Sequence, residues 1–243
     1  MGVVTQLKGH KSGISIALYN GSDRILSGAT DGRVIVFEEL TGRIIIELEG
    51  HKGPITAIII NEKGDRIFTA SDDRTIREWD FSGKLIHEFK GHQGNIQEIS
   101  VSPSGKHLIA TSHDRTYIWT SSGKFIAELG DVSPRVSPMG DRIFPEFNPQ
   151  GDRLLTRNGD NTLHLWDISG HLVAKFQQPN AQILDAMFSK DGNQIILFLA
   201  DGTVQKRSIE TLPQLLTRGC TWLRSYLQAH PEELDRLPSC KAK

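Results

Sequence analysis

Apolar and polar positions alternate along much of the chain with a period of two. Residues 55–60 (ITAIII), 66–71 (RIFTAS) and 75–80 (TIREWD) are short β-rich runs, broken by Asn61-Glu62-Lys63-Gly64 and by Asp72-Asp73. A fourth run spans Leu85 to Phe89. Runs this short, bounded by Gly and Asp turns, predict half-buried strands rather than βαβ units with helical crossovers. The turn chemistry recurs at Asn20-Gly21-Ser22-Asp23, Pro103-Ser104-Gly105, Pro149-Gln150-Gly151 and Lys190-Asp191-Gly192. Each offers a residue that takes positive φ where a tight hairpin requires it.

The runs belong to a longer repeat. Gly9-His10, Gly50-His51 and Gly91-His92 stand 41 residues apart, since 51 − 10 and 92 − 51 are both 41. Turns carrying Asp31, Asp73, Asp114, Asp160 and Asp201 follow, and then Phe37, Trp79, Trp119, Trp166 and Arg207 in matching context. Three marks in phase over five units set the organisation of the chain.

The Gly-His start, the Ser/Thr-x-x-x-Asp turn and the Trp-Asp end (Trp79-Asp80, Trp166-Asp167) resemble the WD40 repeat over roughly residues 3–209. That resemblance implies a β-propeller, with four-stranded blades packed around a central channel. One such sheet cannot bury both faces, so stacking on neighbours is obligatory. The expected fold is all-β, a WD40-type β-propeller of about five four-stranded blades over residues 1–211. Its units span about 8–49, 50–90, 91–129, 130–177 and 178–209.

In the family a His, a strand Ser/Thr, a turn Asp and the Trp indole form a hydrogen-bonded chain within a blade. Carried onto this sequence, unit two has His51, Thr69, Asp73 and Trp79. Unit one has His10, Ser27 and Asp31, but Phe37 removes the indole donor. Unit three has His92, Asp114 and Trp119, with one residue fewer between turn and Trp. Unit four keeps Thr156, Asp160 and Trp166, with the irregular stretch Asp131 to Arg142 in place of Gly-His; unit five keeps only Asp201-Gly202-Thr203. Repetition at blade spacing makes these His–Asp pairs structural, because a catalytic site is grafted once rather than copied. The other histidines show no HxxxH or CxxC spacing, so neither metal nor cofactor is expected.

Closure has two readings. Unit five lacks an obvious fourth strand after Ile209, and Val3–Leu7 is a spare strand ahead of the first Gly-His. Pairing Val3–Leu7 with Thr203–Ile209 would complete a shared blade and remove two exposed edges. The other reading is an open arc, part of a larger ring or one completed by a second chain.

The tail, residues 212–243, changes period. Leu212, Leu215, Leu216, Leu223 and Leu227 fall on one helical face, with Thr211 as cap, Pro213 in the first turn and Pro231 at the end. The pattern predicts a C-terminal α-helix that lies on the last blade or docks a partner. The string Thr217 to Arg224 resembles the tail after the last repeat in large bacterial, notably cyanobacterial, WD-repeat proteins. This resemblance implies a sensor or regulatory module of an NTPase-type signalling protein, here a detached C-terminal part, as no GxxxxGK[ST] is present.

Composition narrows the partners. Apolar residues are 37% of 243, enough for a core, and 28 Lys and Arg against 29 Asp and Glu argue against a polybasic nucleic-acid binder. No apolar run approaches the ~20 residues of a membrane span, and the first residues carry no signal-peptide pattern. Two cysteines, Cys220 and Cys240, fit a reducing compartment, so a cytoplasmic protein without nucleic-acid or membrane partners is expected. The loops of one propeller face would carry Lys11, Arg33, Lys52, Arg74 and Arg115. Five cations there suggest an acidic protein patch as partner. With no convergent acids, bases or metal ligands, the expected function is a non-catalytic protein–protein interaction scaffold, not an enzyme.

Overall fold

The computed structural model describes residues 7–19, 23–112, 115–130, 145–157, 161–209, 219–221, 223 and 226. Their regular structure is almost entirely antiparallel β, arranged as five separate sheets in chain order. Sheet 1 contains β1 (Ile14–Tyr19), β2 (Arg24–Ala29), β3 (Val34–Glu38) and β4 (Ile44–Leu48). Sheet 2 contains β5 (Ile55–Ile60), β6 (Arg66–Ser71), β7 (Ile76–Asp80) and β8 (Leu85–Phe89). Sheet 3 contains β9 (Ile96–Val101), β10 (His107–Ser112), β11 (Thr116–Thr120) and β12 (Phe125–Leu129). Sheet 4 contains β13 (Glu146–Phe147), β14 (Arg153–Arg157), β15 (Thr162–Asp167) and β16 (Leu172–Gln177). Sheet 5 has three strands, β17 (Ile183–Phe188), β18 (Gln194–Leu199) and β19 (Val204–Ser208).

The hairpins form where the turn residues supply the backbone. Asp23, Gly105, Gly151 and Gly192 take φ between 61° and 72° in the first turn of sheets 1, 3, 4 and 5. In the second turn of sheet 1, Gly32 has φ of 82°, and a Cβ there would come within 2.5 Å of the His51 carbonyl. Only glycine satisfies both demands.

Each of sheets 1 to 4 shares its core with the sheet that follows it. Leu26, Val36 and Leu48 of sheet 1 pack with Ile55, Ile67 and Trp79 of sheet 2. Phe68, Ile76 and Phe89 meet Ile96, Leu108 and Trp119 of sheet 3. Ile109 and Ile118 meet Phe147 and Trp166 of sheet 4, and Leu163 and Leu165 meet Ile195 and Leu197 of sheet 5. Each of these large side chains contributes ~1.5–3 kcal/mol by leaving water, and none could be buried by one sheet alone.

The first strand of each sheet lies innermost. Side chains of β1, β5, β9, β13 and β17 all line one cavity of about 520 Å³, so the sheets fan around it. A β-bulge recurs between β3 and β4 beside Phe37, and between the corresponding pairs beside Trp79, Trp119 and Trp166. Bulges add local twist to the outer strands of four sheets.

Some expectations fall elsewhere. Among the described residues no strand joins sheet 5 to sheet 1, and Val3–Gln6 and Asp131–Arg142 lie outside them. Most of the expected tail helix also lies outside; residues 219–221 are helical, and the Leu223 N–H donates to the Gly219 carbonyl at 2.9 Å.

Candidate functional site

The repeat residues of sheet 2 converge on one buried hydroxyl. Thr69 stands on β6, Trp79 on β7, Asp73 in the turn between them and His51 in the segment entering β5. His51 Nδ1 lies 2.9 Å from Asp73 Oδ2 and Nε2 lies 2.8 Å from Thr69 Oγ1, while Trp79 Nε1 donates to Thr69 Oγ1 at 2.9 Å. A carboxylate only accepts, so Nδ1 carries the proton; neutral Nε2 then accepts the Thr69 O–H, whose oxygen takes the indole. Burial pulls the His51 pKa below its ordinary value despite the Asp73 contact, consistent with that neutral ring. Burial alone would raise Asp73, but hydrogen bonds from the Lys52 amide, Thr75 and His51 carry it down to about 2. Thr69 is fully buried, so its hydroxyl is not presented to solvent.

The other sheets hold parts of this chain. In sheet 1, His10 Nε2 meets Ser27 Oγ at 2.6 Å, Phe37 is buried where sheet 2 has Trp79, and His10 Nδ1 has no partner among the described residues. Asp31 turns instead to its own loop, accepting the Arg33 amide at 3.2 Å. In sheet 4, Trp166 Nε1 donates to Thr156 Oγ1 at 2.8 Å; Asp160 and Asp114 lie outside the described residues. In sheet 3 the place of Thr69 is taken by Ala110, and among the described residues both ring nitrogens of buried His92 lack partners. His92 packs edge-on to Tyr117, with centroids 4.4 Å apart, and tilted against Trp119 at 5.0 Å. Burial lowers its pKa to about 4.

The five loop-face cations do not form one free patch. Lys11, Lys52 and Arg74 are exposed, whereas Arg33 pairs with Glu47 and, at 3.2 Å, with Glu49, and Arg115 pairs with Glu128. The sequence carried the sign: Glu47, Glu88 and Glu128 recur at 41 and 40 residues on the outer strands, and Glu88 pairs with Arg77 at 3.3 Å. The pattern reading counted the cations and missed their anions.

Around the central cavity stand Glu98, Glu146 and Asp185. Burial, assisted by Asp185, pushes the Glu146 carboxyl above its ordinary pKa. Among the described residues no group of three His, Cys, Asp or Glu is placed to hold a metal, and no helix is long and apolar enough to cross a membrane. Cys220 is disulfide-bonded, so the cysteine count does not argue for a reducing compartment.

These ties and the fan of sheets define an assembly of repeated β-sheets. The family model for the WD domain, G-beta repeat, matches three repeats, at residues 2–38, 42–80 and 83–120. A solved structure, that of the computationally designed Ika8 protein, is similar in fold at a TM-score of 0.62 and 24% identity. The similarity covers 83% of this chain and 60% of that one. No curated protein matches, and the likeness of the tail to bacterial WD-repeat proteins gains no support from a relative.

Proposed function

We propose that the chain is a non-catalytic protein–protein interaction scaffold, a ring closed by its own N-terminal strand that offers its loop face to an acidic protein partner. WD40 repeats generally serve as protein-interaction scaffolds. The observation that carries the reading is the fate of the chemistry-bearing residues. His51, Thr69 and Asp73 spend their hydrogen bonds on one another inside sheet 2, which leaves rims and loops for recognition. Lys11, Lys52 and Arg74 support an acidic partner, because exposed cations steer and orient docking.

Closure is supported by the phase of the repeats. The second and third matched segments begin at residues 42 and 83, two residues before outer strands β4 and β8. The first begins at residue 2, one before Val3, so Val3–Leu7 holds an outer strand's place in the repeat. Sheet 5 is the sheet described with three strands.

The test compares the full chain with a Lys11→Glu, Lys52→Glu, Arg74→Glu variant, both immobilised in native lysate, with captured proteins quantified by mass spectrometry. The reading predicts a discrete set of proteins held by the wild type and lost from the variant at unchanged circular dichroism. Identical capture by both contradicts the acidic-partner face.

A further inference from the structure

One position breaks the repeat in a way that makes a pocket. In the register of the second strand, Gly28, Ala70 and Thr111 occupy the same place, opposite Val34, Ile76 and Thr116. All three are buried, and at Gly28 a Cβ would come within 2.6 Å of Ile55 on the next sheet. Sheet 4 places Arg157 there, opposite Leu163. Sheet 5 has Phe198 at this place, opposite Val204, so among the five sheets Arg157 is the charged side chain there, a local departure of the kind that marks functional positions.

A cavity of about 400 Å³ opens beside Arg157 at the seam between sheets 4 and 5. Its wall is fixed by Asn161, whose carboxamide oxygen accepts the Ile183 N–H at 2.7 Å. The Asn161 amide donates to the carbonyls of Ala181 at 2.9 Å and Gln178 at 3.2 Å, so residues 178–183 are held in place. Among the described residues Arg157 makes one hydrogen bond, from Nη1 to the Leu184 carbonyl at 3.4 Å, and its side chain borders the cavity. Exposed side chains of Asn180 and Gln182 add amide donors, and among the described residues no carboxylate lines the space. Asp185 lies near enough to favour the charged guanidinium against the pull of burial, yet forms no ion pair with it.

A planar fork with free donors, flanked by amides on a fixed wall, is matched by two oxygens in one plane. We propose that this cavity binds the side-chain carboxylate of an Asp or Glu in an acidic peptide segment of the partner protein. The site deepens the scaffold reading and rests on it, adding a point of specificity to the loop face.

The probe is a fluorescein-labelled hexaglutamate peptide, titrated by anisotropy against the full chain, with hexaglutamine as the uncharged control. Arg157→Gln removes the fork, and Gln182→Glu places a repelling carboxylate at an exposed position that leaves folding intact. Each is expected to weaken hexaglutamate binding by about tenfold or more, the size of a lost charge-assisted contact. A Lys52→Ala, Arg74→Ala variant loses less than about threefold, as rim charges contribute little. Unchanged binding by Gln182→Glu and folded Arg157→Gln, equal binding of hexaglutamine, or no wild-type binding at about 1 mM peptide each overturns the pocket. None of these outcomes touches the scaffold reading, which stands or falls on capture by the loop-face variant.

Discussion

Trp79 and His51 share one hydroxyl. The Thr69 oxygen accepts the indole N–H at 2.9 Å and lies 2.8 Å from the imidazole Nε2, with all three side chains buried. Thr69→Val keeps the shape and removes both partners at once. A buried group left unpaired costs about 1–3 kcal/mol, so the variant should lose about 2–4 kcal/mol in urea unfolding. A loss below about 0.5 kcal/mol would mean that the shared hydroxyl is incidental to stability.

Sheet 3 lacks that hydroxyl, and the gap can be filled. Ser27, Thr69 and Thr156 occupy the position where sheet 3 has Ala110, and among the described residues His92 has no partner on either nitrogen. Ala110→Ser supplies an acceptor and donor beside His92. It is expected to stabilise the protein by about 1 kcal/mol, the net worth of one buried hydrogen bond, read as a higher urea midpoint. A destabilised variant would show that the tight site rejects one more atom.

His92 also sets an acid limb. Burial lowers its folded pKa to about 4 from 6.5, so between those values the unfolded chain binds the extra proton and the folded chain does not. Stability from this group is therefore complete above pH 6.5 and falls as pH drops toward 4, by up to ~3 kcal/mol at ~1.4 kcal/mol per unit. Asp73 acts lower, its contribution being lost as pH falls from 3.8 through about 2. Unfolding midpoints from pH 7 to 4 should drop more steeply for the wild type than for His92→Leu; parallel slopes would contradict the assignment.

Much of this was legible in the sequence because the repeats wrote it several times. The pattern runs at 55–60, 66–71, 75–80 and 85–89 match β5 to β8 to within a residue. The Gly-His, Asp and Trp marks fall on His51, Asp73 and Trp79, of which His51 and Trp79 bond Thr69 and Asp73 bonds His51. What escaped were features whose meaning depends on a partner strand. Arg33 and Arg115 read as free cations until Glu47 and Glu128 lie across from them. Arg157 reads as an ordinary strand charge until register sets it beside Gly28 and Ala70. Ala110 is silent as a sequence letter and informative only once register sets it where Thr69 and Thr156 carry an oxygen.

Ring closure makes a separate prediction. If Val3–Leu7 completes sheet 5, deleting residues 1–8 bares the edge of β19, and exposed edges pair with other chains. The truncated protein should form oligomers or lose cooperative melting. A monomer that melts like the wild type would refute closure.

The most direct measurement is the distance between the first and last innermost strands. β1 and β17 border the same cavity although about 170 residues separate them along the chain. Spin labels at the exposed positions Ile14 and Met187, with both cysteines replaced by serine, report that distance by electron–electron resonance. A fan of sheets about one axis predicts a separation within about 25 Å. A distance near 40 Å, four sheet spacings of ~10 Å in a straight row, would contradict it.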